Sequence, residues 1–154
     1  GGVGTVVASG RTGLVVPVPE AAAFAAHPHL TLLAPFRPRR LLDAKLQREL
    51  AALFVPVAPF AFRLVDVNVF PDGHVYLAPE PAEPFRQLTN MLAVRYPDTP
   101  PYEGLFDDVI PHCTIDTERV PARLPIAAHA REVHLVHSYA DEWDVVARFP
   151  FAAA

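Results

Sequence analysis

Proline sets the first limit on this chain. Eighteen of its 154 residues are proline, and each lacks a backbone N–H and fixes its own φ, so it ends or edges the element it falls in. They occur throughout the sequence, which excludes long helices and divides the chain into short pieces. Gly13 to Val18 is an apolar run with the length of a buried strand, and alanine-rich Glu20 to Ala26 predicts a brief helix. His29 to Leu33 predicts a short strand closed by Pro35.

From Leu41 to Phe54 the apolar residues Leu42, Leu46, Leu50 and Leu53 recur at helical spacing among charged ones, which predicts an amphipathic helix stopped before Pro56. Phe60, Phe62 and Leu64 alternate as in a strand, and the phase then slips to Val65, Val67 and Val69, so a bulge is expected near Leu64. Pro71-Asp72-Gly73 predicts a turn into a returning strand at His74 to Leu77. Phe85, Leu88, Leu92 and Tyr96 share one stripe of a second helix over Glu83 to Tyr96. A loop follows from Pro97 through Gly104, then strands at Val109 to Ile115, Glu132 to Tyr139 and Trp143 to Phe149. The expected fold class is mixed α/β (α+β), a single domain over 1–154 with two similar halves at about 11–70 and 71–154, each strand, helix, strand.

Half the residues are hydrophobic (51%) and 19% are charged, a folding composition rather than a disordered one. The net charge of −4 argues against a broad grip on duplex nucleic acid, which needs Lys and Arg to displace counterions, so a nucleic-acid ligand should be short, terminal or small. One cysteine, Cys113, allows no internal disulfide, and no apolar segment approaches the ~20 residues of a membrane span. These features lead to the expectation of a cytoplasmic protein with no membrane contact and no obligate protein partner. Residues 1–10, rich in glycine, are expected to be a flexible arm without a role.

One five-residue pattern occurs twice. Pro28-His29-Leu30-Thr31-Leu32 is echoed by Pro111-His112-Cys113-Thr114-Ile115. Strand residues two apart face the same way, so His29 and Thr31 project from one face while Leu30 and Leu32 enter the core. His112 and Thr114 project in the same manner, with Cys113 and Ile115 inward. Two imidazoles across a cleft can divide phosphodiester chemistry, one taking a proton from the attacking oxygen while the other gives one to the leaving oxygen. Their ordinary pKa of about 6.5 keeps both protonation states available. Thr31 and Thr114 can each donate to a nonbridging phosphate oxygen as charge builds. A single His-x-Thr is commonplace on strands, and it is the matched repetition that points to a site.

The paired His-x-Thr motifs resemble those of the two-histidine (2H) phosphoesterases, which include bacterial 2′-5′ RNA ligase-like proteins and RNA 2′,3′-cyclic phosphodiesterases. The resemblance extends from Leu14 onward through His29-Leu30-Thr31-Leu32-Leu33-Ala34-Pro35-Phe36, Tyr76-Leu77-Ala78-Pro79 and Pro101-Tyr102-Glu103-Gly104. It implies a bilobal fold, two pseudo-symmetric lobes of mostly antiparallel sheet with flanking helices and a central cleft. It also implies hydrolysis or ligation at 2′-linked or cyclic phosphates without a metal or cofactor. His29 and His112 would be the catalytic pair, with RNA ends, short oligonucleotides or cyclic nucleotides as substrates. In one respect the chain departs from the family: only about ten residues separate the first strand from His29, where a longer helical segment is usual, so the first lobe is expected to be trimmed.

Phe36 and Tyr102 are candidates to stack on a base, although Phe36 suits the core as well. Arg37, Arg39 and Arg40 can meet a phosphate tail or serve as a solvated helix flank. Strand alternation turns Cys113 away from His112, which disfavours it as a nucleophile. His27 with His29 and His112 makes a poor metal site, because a proline intervenes and no carboxylate or cysteine pair is near. The alternative to an enzyme is a non-catalytic binder of nucleotides or RNA ends using the same cleft.

Overall fold

The computed structural model describes residues 10–99 and 110–153. Eight strands form one sheet: β1 (Arg11–Pro17), β2 (His29–Leu33), β3 (Phe60–Val69), β4 (Val75–Glu80), β5 (Cys113–Ile115), β6 (Ile126–Ala130), β7 (Glu132–Tyr139) and β8 (Glu142–Pro150). Among the described residues two helices accompany them, α1 (Ala44–Phe54) and α2 (Glu83–Arg95). No described helix is long and apolar enough to cross a membrane.

The described strands pair antiparallel throughout, in the order β6-β3-β4-β5-β2-β1-β7-β8. The midpoint of the sheet falls between β5 and β2, the two strands that carry the repeated motif. The chain does not divide there at residue 70. β3 joins β4 and β6 rather than β1 and β2, while β7 and β8 return to extend β1, so each half of the sheet draws strands from both parts of the sequence. Only Arg131 separates β6 from β7, although five strands lie between them in the sheet. So short a link requires the sheet to curl until its β6 edge approaches β7.

One face of the curl is packed. Leu14, Val16, Leu30, Leu32, Leu77, Cys113, Ile115 and Leu135 alternate inward from five strands, and Leu46, Leu50 and Phe54 of α1 and Phe85, Leu88 and Leu92 of α2 close over the core. At about 25 cal/mol per Å² of apolar surface, this burial is the main stabilising contribution. Thr89 of α2 donates to the Leu32 carbonyl (2.8 Å), and Thr99 donates to the Pro35 carbonyl (2.9 Å) while accepting from the Arg37 N–H (3.0 Å). These bonds tie the second helix region to β2 and its exit.

Most expected elements are present, including the bulge between Leu64 and Asp66 and the turn in which Gly73 takes φ +93°. Three differ. The expected helix over Glu20 to Ala26 is a single 3-10 turn at Pro19–Ala21, because the Val18 N–H closes onto the Pro28 carbonyl and the Phe24 carbonyl accepts from the Asp116 N–H. Helix α1 starts at Ala44 rather than Leu41, since the Asp43 side chain caps the Leu46 N–H at 3.0 Å. Strand β6 has no counterpart in the sequence reading. The expected arm falls on residues 1–10, of which only Gly10 is among those described.

Candidate active site

Each motif histidine is held by the backbone two residues before it. His29 Nδ1 lies 2.6 Å from the His27 carbonyl, and His112 Nδ1 lies 2.7 Å from the Ile110 carbonyl. A carbonyl only accepts, so both rings carry a proton on Nδ1, and in the neutral form Nε2 is the free lone pair. Pro28 and Pro111 push the residue before them towards extended backbone, the conformation in which its carbonyl can meet the ring two positions on.

The register sets the four motif side chains together. Leu30 pairs with Cys113 across β2 and β5. One step along that antiparallel ladder puts His29 opposite Thr114, and one step the other way puts Thr31 opposite His112. All four lie on the face away from the core, with Leu30 and Cys113 buried behind them. The histidines occupy a diagonal, whose spacing in antiparallel pairs is about 7–8 Å. Burial holds the His29 imidazole below the usual histidine range; the bond to the His27 carbonyl opposes this, while charge on His112 and His27 reinforces it.

The two rings have different supports. His29 rests on the indole of Trp143 from β8, with ring centroids 4.6 Å apart, and His27 stacks on the same indole at 5.3 Å and 6° between planes. His112 meets Phe70 and Tyr76 edge-on at 4.9 and 5.6 Å. Beside His29 lies an open cavity of about 590 Å³, lined by Val15, Pro17, Trp143 and Val145, with His134 and Arg131 among its polar groups. The His134 Nε2 is bonded to the Glu132 carboxylate.

Among the candidate substrate contacts, Phe36 is corrected by the structure. It is 1% exposed and packs edge-on against Tyr96 at 5.2 Å, so it offers no face to a base. Tyr102 lies outside the described residues. Cys113 is buried behind the motif and its thiol is pushed up to about 11 by that burial, which makes it a poor thiolate at neutral pH. Arg40 is drawn to Glu49 of α1 at 2.9 Å, the helix-flank role. The sequence reading missed Trp143 and the cavity beside it. Trp143 is the chain's sole tryptophan, on a strand that was expected, but its contact with His29 depends on strand order, which no local pattern encodes.

The family model of the 2′-5′ RNA ligase superfamily matches residues 19–147. The chain belongs to that superfamily. Solved structures agree on the fold: the Thermus thermophilus protein TT0787 superposes with a TM-score of 0.65 at 22% identity, covering 91% of this chain and 97% of that one. E. coli LigT complexed with 3′-AMP gives 0.61 at 18% identity, and LigT complexed with NADP+ gives 0.60 at 19%, each covering 94% of this chain and 99% of the other. No curated protein matches the sequence. Membership in the superfamily accords with the resemblance carried by the two His-x-Thr motifs, and the shared fold is the curled antiparallel sheet with two helices.

Proposed function

We propose that this chain is a phosphoesterase acting on 2′,3′-cyclic phosphate or 2′-5′ phosphodiester bonds of RNA or small nucleotides, by general acid/base catalysis between His29 and His112 without a metal. The observation that carries this reading is the matched setting of the two rings: neighbouring strands, one face, and the same Nδ1 contact to a carbonyl two residues back. Each ring therefore has Nε2 for proton transfer. Burial, reinforced by charge on His112, favours a neutral His29 imidazole.

His29 takes the part of the base. Burial favours its neutral form, in which Nε2 can accept the proton of a 2′-hydroxyl or a water as it attacks phosphorus. His112 then donates from Nε2 to the leaving oxygen, and the reverse transfer restores both. Thr31 and Thr114, opposite the two histidines, hold the nonbridging oxygens and stabilise the added charge. That LigT has been solved with 3′-AMP, ATP and NADP+ supports a nucleotide-sized ligand.

The test is a panel of 2′,3′-cyclic nucleotides with 2′-5′ and 3′-5′ oligonucleotides, with products identified by mass, in the presence and absence of EDTA. Turnover that persists in the chelator and is lost in His29→Ala supports the proposal. Saturable binding without product would favour a nucleotide or RNA-end binder, and turnover abolished by EDTA would remove the metal-free mechanism.

A further inference from the structure

We propose that the hydroxyl of Tyr76 is a further catalytic contact, donating to the nonbridging phosphate oxygen that Thr114 holds. The inference rests on the phosphodiester reading above and adds a residue to the machinery of that site. Tyr76 pairs with Thr114 across β4 and β5, and Thr114 stands opposite His29 on β2, so the three form one row across adjacent strands. Leu77, next to Tyr76, is fully buried in the core, which turns Tyr76 to the face that carries the four motif side chains. Side chains directly opposite on antiparallel strands have Cβ atoms about 4.5–5.5 Å apart. A phosphate held by Thr114 is therefore within reach of the longer tyrosine side chain.

Neighbouring rings fix the phenol in place. Phe70 stacks on it with centroids 4.2 Å apart and 24° between planes, and His112 meets both Phe70 and Tyr76 edge-on. The three rings thus touch one another pairwise, and Tyr76 is only 8% exposed. Phenylalanine would fill this nest equally well, so packing does not account for the hydroxyl. Among the described residues no hydrogen-bond partner meets that hydroxyl, yet no buried polar side-chain atom there lacks a partner. The hydroxyl therefore reaches the surface of the motif face. A donor held rigid where charge builds, and not claimed by another protein group, is what electrostatic stabilisation of a phosphoryl transition state requires.

Tyr76→Phe keeps the ring and removes the donor. With a nucleoside 2′,3′-cyclic phosphate its kcat/KM should fall by about 10- to 150-fold, the equivalent of the ~1.5–3 kcal/mol of a hydrogen bond to a charged group, with Tm unchanged. The fall should lie mainly in kcat, because the bond strengthens as charge develops. The two diastereomers of the cyclic phosphorothioate, each with sulfur in place of one nonbridging oxygen, give a ratio that does not depend on how much of the variant is folded. Sulfur accepts hydrogen bonds weakly, so the wild type should prefer the diastereomer that keeps oxygen at Thr114 and Tyr76, and Tyr76→Phe should lower that preference. A variant as fast as the wild type, or one that slows both diastereomers equally and keeps their ratio, overturns the proposal and leaves Tyr76 as packing for His112. Wild-type protein that turns over no cyclic nucleotide would sink the phosphodiester reading itself, whereas a silent Tyr76→Phe leaves that reading standing.

Discussion

At the scale of single residues, the proposed chemistry depends on two rings that act as a unit. Replacing His29 or His112 by alanine should lower kcat by about 10²–10⁴, and the double variant should lose little more than either single one; steady-state rates on a cyclic nucleotide check both. Burial opposes protonation of His29, so the acid limb of kcat/KM should lie below the ordinary imidazole value of about 6.5. Trp143→Ala, which admits water to the ring, should raise that limb towards the ordinary value. The same shift links pH to stability. Unfolded His29 takes up its proton near pH 6.5 while the folded ring resists, so its contribution is present above about that pH and is lost as pH falls through the folded value. Melting curves should show a smaller acid-side loss of Tm in His29→Gln than in the wild type. The motif residues were legible because strand alternation needs only local sequence to separate His29 and Thr31 from Leu30 and Leu32. Trp143 was not, since 114 positions separate it from His29 in the sequence and the β7–β8 pairing slips between Leu135 and Val136.

At the scale of elements, β2 is held to the second helix by a hydrogen bond from buried Thr89. Thr89→Val keeps the shape and removes the donor to Leu32, so it should cost about 0.5–1.5 kcal/mol in urea unfolding. Because Leu32 adjoins Thr31, the same variant tests whether a fixed β2 is needed for turnover. Leu50→Ala, in the fully buried stripe of α1, should cost about 2–5 kcal/mol and leave the pH profile in place. The helices and the β3–β4 hairpin could be read in advance because their periodicity, turn residues and stops agree. Strand β6, Ile-Ala-Ala-His-Ala, could not. Alanine carries little strand preference, and the segment is extended because it pairs with β3. The Glu20 to Ala26 segment failed in the opposite sense: its composition suits a helix, but the Phe24 carbonyl accepts from the Asp116 N–H, and Val18 just before the segment is closed onto Pro28.

For the whole molecule, the net charge of −4 implies recognition through one phosphate and its immediate attachments rather than along a backbone. KM for a cyclic mononucleotide should therefore change less than about fourfold between 50 and 200 mM salt, where a protein bridging 6–10 phosphates would lose 10³–10⁵ in affinity. The fold class followed from the alternation of short strand and helix patterns, but the strand order did not, because the chain crosses the midline of the sheet after β2 and again through Arg131. That second crossing imposes an order on biosynthesis. A chain emerging from the ribosome will have delivered both histidines before β7 and β8 exist, and until then β1 is paired on its β2 side alone and His29 has no indole to lean on. The last two strands thus serve as the closing stitch, and a nascent chain halted before them should be open, adhesive and without activity.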